Sequence, residues 1–201
     1  MLIKVCGITT ARQAEELDKN KLASLIGLIF YPGSKRATTG FNYSKIHTKK
    51  VGVFVNAGMN EIKTCIEHYQ LDLVQLHGNE TPHFCQEIKK YTPVIKAIPV
   101  GHCLNKKQID QYKDVIDFIL FDTETSTYGG SGKVFNWNLL HDYTGNIPFL
   151  LSGGIGLTNC SASTKIDHPN FLGIDINSQV ETAPGIKNIT TIVEINKLIN
   201  S

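Results

Sequence analysis

No apolar run in this chain approaches the roughly 20 residues that a membrane-spanning helix needs, so no membrane association is expected. No Cys-x-x-Cys pair occurs either. The five cysteines (Cys6, Cys65, Cys85, Cys103 and Cys160) are odd in number and lack framework spacing, which speaks against a disulfide scaffold. Cys65 with His68, and His83 with Cys85, offer two ligands where zinc takes three or four, so no metal is expected. Charge of one sign is missing too: 20 Lys and Arg against 18 Asp and Glu leave a formal +2. That supplies neither a basic field for nucleic acid nor an acidic one for cationic partners. Any anion must be held locally, by backbone amides and a few side chains. There is no linker, low-complexity stretch or second composition regime, so residues 1–201 are read as one domain with one sizeable core. Nothing resembling a leader separates Met1 from the first strand. Reduced thiols and a cytoplasmic location are the expectation.

What the chain does contain is alternation. Hydrophobic residues make up 41% and charged residues 19%, as in ordinary globular proteins, and the apolar ones fall in short runs between polar, helix-periodic segments. A strand begins at Ile3 and ends at Cys6; Gly7 turns the chain, and Thr9 or Thr10 caps a helix through Ala11–Leu17. Further strands are expected at Leu25–Phe30, Val51–Val55, Leu73–Leu76, Val94–Ile98, Asp117–Phe121, Phe149–Leu151 and Phe171–Ile174. Helices are expected at Asn60–Tyr69, Thr81–Tyr91, Asn105–Lys113, Asn136–Asp142, Thr158–Lys165 and Asn188–Ile199, with a weakly helical stretch at Tyr43–Lys49. Strands that are apolar throughout signal a parallel sheet covered on both faces. Eight regular strand–helix units without a long insertion favour closure into an α/β (β/α)8 barrel over an open doubly wound sheet.

In such a barrel the chemistry gathers at the carboxyl ends of the strands, where all eight loops converge. Cys6 ends strand one; a buried cysteine is usually an inert small hydrophobe, yet here it stands at a catalytic address. Arg36 follows strand two, as a solvated loop charge or as a planar fork for a carboxylate. Asn56 follows strand three, and Gln75 and His77 bracket the end of strand four. Asp122 directly follows an apolar run, where it is either a loop anchor or a general acid in a partly dry pocket. Ser152-Gly153-Gly154 after strand seven lets backbone amides approach an anion closely, and with the loop after strand eight it forms the expected phosphate site. Asp175, Asn177 and Ser178 end strand eight. The glycine-rich loop Thr123–Lys133 lacks the spacing of a nucleotide-binding loop, and no Ser or Thr follows Lys133; a cover over the site is the better reading.

These segments resemble one known family along essentially the whole chain. The residues that carry the resemblance are Lys4-Val5-Cys6-Gly7-Ile8-Thr9, Phe30-Tyr31-Pro32 with Ser34-Lys35-Arg36, and Val51 to Asn56. They continue with Val74-Gln75-Leu76-His77-Gly78, Phe121-Asp122-Thr123, Gly129 to Lys133 with Phe135 and Trp137, and Leu151-Ser152-Gly153-Gly154. In that order and spacing they resemble phosphoribosylanthranilate isomerase of tryptophan biosynthesis. The resemblance implies that Cys6 is the general base and Asp122 the general acid. It also implies that Arg36 meets the anthranilate carboxylate and that Asp175 lies near the sugar hydroxyls. Gln75, His77, Gly153, Gly154, Asn177 and Ser178 are read as further substrate-binding positions.

Two positions depart from the family. Gln179 stands where glycine is common, and a side chain there resists positive φ, so a different local backbone is expected. Asn188 replaces a common Asp, which alters a helix cap. The implied reaction is an Amadori rearrangement of an aminoaldose to a 1-amino-1-deoxyketose, which needs neither redox cofactor nor metal. The expected partner is the small-molecule substrate alone, and the expected state a monomer. Rival readings are an epimerase, which wants metal ligands, and an indole-glycerol-phosphate synthase, which wants a pair of catalytic lysines where this chain has only Lys4 and Lys96 inside strands. A non-catalytic phosphosugar-binding barrel is the rival of another class.

Overall fold

The computed structural model describes residues 1–38, 40–124 and 134–200. Eight parallel strands close into a barrel in sequence order: β1 (Leu2–Cys6), β2 (Leu25–Ile29), β3 (Lys49–Phe54), β4 (Leu73–Leu76), β5 (Val94–Val100), β6 (Phe118–Thr123), β7 (Phe149–Leu151) and β8 (Phe171–Ile176). Closure is made by β8 against β1, with Ile3 opposite Ile174 and Lys4 opposite Asp175. Side chains alternate between faces along each strand, and the two faces form separate buried clusters. The inner one is small and includes Cys6, Ile29, Val53, Ala97, Leu120 and Leu150. The outer one joins Val5, Phe54, Phe121 and Ile174 to helix residues such as Leu17, Ile62, Ile88 and Ile192. Each such side chain contributes about 1.5–3 kcal/mol on burial, so most of the driving force lies between barrel and helices.

The helices are α1 (Ala11–Lys19), α2 (Met59–Tyr69), α3 (Pro82–Lys89), α4 (Lys106–Gln111), α5 (Cys160–Ser163) and α6 (Ile189–Asn200). Thr10 caps α1 through Gln13 N–H at 3.3 Å, and Thr81 caps α3 through Phe84 N–H at 3.2 Å with Pro82 in the first turn. Asn188 accepts Thr191 N–H at 3.2 Å, so it serves as the cap of α6 in place of an aspartate.

Two expectations are corrected. The stretch 43–49 is not a helix. Its only buried residues before β3 are Tyr43 and Ile46, one turn apart and joined by a single 3.0 Å backbone bond, too little to repay helix nucleation. The short helix expected at 136–142 is present as a 3₁₀ helix, Trp137–Asp142. The helix expected at 158–165 shrinks to α5, because Ser163 and Thr164 turn their hydroxyls back onto Cys160 and Ser161 carbonyls at 2.6 and 2.8 Å, which competes with helix continuation. One element went unread in the sequence. After a 3₁₀ turn at Ser178–Val180 the chain makes a hairpin of β9 (Glu181–Ala183) and β10 (Ile186–Lys187) before α6 begins. Most of the glycine-rich loop, 125–133, lies outside the described residues, and with it the expectation of a cover over the site.

Candidate active site

Cys6 is the last residue of β1, and Gly7 follows at φ +74°. Space for the thiol comes from β2: a Cβ built on Gly27 would fall 2.7 Å from the Cys6 sulfur. Lys4, two residues earlier on the same inner face, is fully buried and its Nζ lies 2.9 Å from Asp175 Oδ2. Burial opposes the Lys4 charge, but Asp175 and Cys6 beside it outweigh burial and hold the ammonium above its usual range. Burial dominates at Cys6 and pushes the thiol up; Lys4 and Lys187 pull it down, and Asp175 adds to the rise. The thiol is thus held above its usual range, the opposite of the depressed value that would suit a base.

Asp122 lies within β6, one residue beyond the expected end of that strand, opposite Pro99 of β5. Its Oδ1 accepts Thr123 N–H at 3.0 Å and its Oδ2 lies 3.1 Å from His77 Nε2. His77 Nδ1 is in turn 2.9 Å from Gln75 Nε2. The sequence-predicted Gln75, His77 and Asp122 thus form one hydrogen-bonded chain. With the Gln75 amide donating to Nδ1, the His77 proton sits on Nε2 and points at the carboxylate. Gln75 Oε1 is then buried without a partner among the described residues. The reversed amide would accept from Nδ1–H and free Nε2 to accept a proton held on Asp122.

The loop that carries His77 is fixed from the outer layer. Lys96 Nζ donates to Leu76 O at 3.0 Å, Gly78 O at 2.8 Å and Glu80 Oε2 at 3.1 Å. Glu80 accepts Asn56 N–H at 2.8 Å and Gly78 N–H at 3.0 Å. Asp175 lies within electrostatic reach of both groups: its charge opposes ionisation of Cys6, and the charges of Lys4, Asp122 and His77 act on it. Its Oδ1 is buried with no partner among the described residues.

Arg36 is not free. Its Nε reaches both carboxylate oxygens of Glu181, at 3.0 and 2.9 Å, and its Nη2 lies 2.8 Å from Glu181 Oε2. Lys187 Nζ approaches Glu181 Oε1 at 2.7 Å and also donates to Asn177 Oδ1 at 2.7 Å and Asn177 O at 3.2 Å. Burial alone would raise the Glu181 carboxyl, but hydrogen bonds from Arg36 and Lys187 hold it below its usual range. Gly7 makes room for this cluster: a Cβ there would sit 2.8 Å from Asn177 Oδ1 and 3.1 Å from Arg36 Cδ.

After β7, Gly153 and Gly154 adopt φ +91° and +64°. Their amides donate to no protein group among the described residues. A Cβ on Gly156 would lie 2.9 Å from Cβ of Gln179, so this loop packs on the turn Ser178–Val180. Gln179 is not among the residues with positive φ; the 3₁₀ turn accommodates it with ordinary right-handed geometry. Among the described residues no three His, Cys, Asp or Glu side chains converge as a metal site would. No described helix is long and apolar enough to cross a membrane.

The model of the family described as N-(5'-phosphoribosyl)anthranilate (PRA) isomerase matches residues 3–197. The chain belongs to that family. It is 41% identical over 198 residues to an N-(5'-phosphoribosyl)anthranilate isomerase from Parabacteroides distasonis, covering 94% of this chain and 89% of the other. Against the Thermotoga maritima isomerase it is 35% identical, with 94% of each chain covered. Among solved structures, that of phosphoribosyl anthranilate isomerase from Thermotoga maritima superposes with TM-score 0.85 at 33% identity, covering 100% of this chain and 99% of that one. Another, described as a complex of this isomerase with reduced 1-(o-carboxyphenylamino)-1-deoxyribulose 5-phosphate, gives TM-score 0.81 at 30% identity, covering 100% and 98%. The protein is thus an isomerase of tryptophan biosynthesis built on a (β/α)8 barrel.

Within this isomerase fold, Cys6, Asp122, Gln75, His77, Asp175 and Asn177 stand at one mouth of the barrel, Arg36 beside them. Ser178 opens the turn against which the Gly153-Gly154 loop packs. Sequence reasoning missed Lys4, Glu181 and Lys187 as parts of this site. Lys4 could have been found from period-two alternation, which puts it on the same face as Cys6. Glu181 left no local signal, since its partner Arg36 is 145 positions away.

Proposed function

We propose that this isomerase performs the Amadori rearrangement of N-(5'-phosphoribosyl)anthranilate by general acid–base catalysis, with Asp122 as acid and Cys6 as base. The observation that carries the reading is that Cys6 ends β1 and Asp122 lies near the end of β6, both at carboxyl ends of strands of one closed barrel, with Asp175 of β8 bonded at 2.9 Å to Lys4, two residues before Cys6. Protonated Asp122 gives its proton to the furanose ring oxygen; the C1–O bond breaks and the nitrogen lone pair forms a C1=N iminium. The enzyme fraction that carries Cys6 as thiolate, its proton already lost to solvent, removes the C2 proton, and that electron pair forms the C1=C2 bond while neutralising nitrogen. The thiol then returns a proton to C1, the Asp122 carboxylate takes the C2 hydroxyl proton, and the ketone forms with both groups reset. The iminium cation adds a further positive charge to those of Lys4 and Lys187, which offsets burial and favours thiolate over thiol. The Gln75–His77 pair serves both states of Asp122, its histidine donating to the carboxylate and, with the amide reversed, accepting from the acid.

The remaining assignments follow the same geometry. The unpartnered Asp175 Oδ1 takes a sugar hydroxyl, and the Gly153 and Gly154 amides with the Ser178 turn take the phosphate. Arg36 takes the anthranilate carboxylate. We read the chain as a cytoplasmic monomer, which sedimentation would check; one solved relative from Thermotoga maritima is described as dimeric. The deciding experiment follows the fluorescence of phosphoribosylanthranilate as it disappears. Cys6→Ala and Asp122→Asn are each expected to lower kcat about 10²–10⁴-fold with unchanged circular dichroism. Near-normal turnover by a folded Cys6→Ala protein rejects the base assignment.

A further inference from the structure

Glu181 occupies one particular edge of the Arg36 guanidinium. The Nε and Nη2 groups are both committed to its carboxylate, at 2.8 to 3.0 Å, which is the side-on fork. A guanidinium carries five N–H donors in a rigid plane. Engaging the side-on fork leaves the end-on pair, Nη1 and the second Nη2 hydrogen, with no partner among the described residues. Glu181 itself cannot drift. It is 4% exposed, receives Lys187 Nζ at 2.7 Å and accepts Gly185 N–H at 3.1 Å. Lys187 is pinned in turn to both oxygens of Asn177 at the end of β8. The β9–β10 hairpin therefore holds a buried acid between two cations, and the only one of the three with appreciable exposure is Arg36, at 15%.

We propose that Glu181, held by Lys187, is a positioning residue that fixes the Arg36 plane and presents its end-on edge as a two-point receptor for a planar aromatic carboxylate, and so sets the selectivity for a substrate carrying one. This rests on the isomerase reading given above and adds to it the group that orients the selecting arginine. Without Glu181 the guanidinium keeps its charge but loses its fixed plane, so attraction survives while bidentate recognition does not. Loss should fall on ligands with the carboxylate and spare those without.

The test compares two probes by inhibition and by calorimetry: reduced 1-(o-carboxyphenylamino)-1-deoxyribulose 5-phosphate, and the same molecule lacking the ring carboxylate. Glu181→Gln is expected to weaken the first at least about ten-fold, the loss typical of one charge-assisted hydrogen bond, and the second less than about two-fold. KM for phosphoribosylanthranilate rises by more than kcat falls. In an Arg36→Ala background the same substitution should change neither probe further. Since Glu181→Gln leaves Arg36 and Lys187 facing each other, the double variant Glu181→Gln/Lys187→Met, free of that repulsion, carries the same expectation. Equal weakening of both probes, or of neither, in a folded variant overturns the proposal. If the wild-type protein binds neither probe and does not consume phosphoribosylanthranilate, the isomerase reading itself has failed, and that outcome is seen before any variant is made.

Discussion

Replacing Lys96 with methionine should unfold this barrel more readily than any surface change and slow it at the same time. Lys96 and Glu80 are 2% and 3% exposed, so the ammonium has no water to replace its three acceptors, Leu76 O, Gly78 O and Glu80 Oε2. Methionine fills nearly the same volume and removes all three contacts. Glu80 keeps the amides of Asn56 and Gly78 but loses its counter-charge. Breaking a buried pair by removing one partner costs about 3–5 kcal/mol, a large part of the 5–15 kcal/mol typical of whole domains. At roughly 2–4 °C per kcal/mol for a chain of this size, the midpoint should fall by about 6–20 °C. The carbonyls released belong to the residues on either side of His77, so the His77–Asp122 bond should loosen and kcat should drop together with stability. The double variant Lys96→Met/Glu80→Gln leaves no uncompensated charge and should be less destabilised than the two single variants added together, by about 0.5–3 kcal/mol. Urea unfolding of the four proteins, read by circular dichroism, measures this cycle. A loss below about 1 kcal/mol in Lys96→Met, or strict additivity in the double, would refute the argument that this pair is electrostatically isolated.

Three further outcomes are expected. Because burial pushes the Cys6 thiol up, kcat/KM should climb along an alkaline limb lying above the ordinary thiol value of about 8.5, and iodoacetamide modification of Cys6 should follow the same limb; a limb near 7 contradicts the desolvation argument. Gly153→Ala places a Cβ against Thr123 Oγ1 at φ +91° and should cost about 1–3 kcal/mol while weakening inhibition by inorganic phosphate, so an unchanged melting point and phosphate inhibition would count against it. The Glu181 carboxyl is held below its unfolded value, so its contribution is present above about pH 4.3 and is lost as pH falls through the folded value; stability should therefore drop more steeply between pH 5 and 3 in the wild-type protein than in Glu181→Gln, and parallel acid curves would show that the pair adds nothing.

The barrel was legible because its signal is local and repeated. In the first, sixth and eighth strands a short apolar run stops at a polar residue, and the stop marks the carboxyl end of the barrel. Cys6, Asp122 and Asp175 could be found in this way without knowing which strands pair. The helices were less legible where packing rather than propensity decides. Tyr43 and Ile46 are buried, Tyr43 against the ring of Tyr69, without any helix between them, and α5 is cut short by hydroxyls that the periodicity of its apolar residues does not register. The β9–β10 hairpin left no trace, since strands of three and two residues carry no readable period.

What no linear reading could supply is the sign of the electrostatics in the barrel mouth. Placing a cysteine at a strand end suggests a base, and a base suggests a depressed thiol. Whether the thiol is depressed depends on a contest between the loss of water, which favours the neutral form, and the charges brought within reach by folding. Lys4 reaches Cys6 along its own strand, but Asp175 and Lys187 arrive from the far end of the chain through closure of β8 on β1 and the hairpin beyond it. Two cations and one anion leave a net attraction for the thiolate, yet burial still wins. In the proposed mechanism the iminium adds to that attraction, so ring opening comes first and carbon deprotonation by Cys6 second.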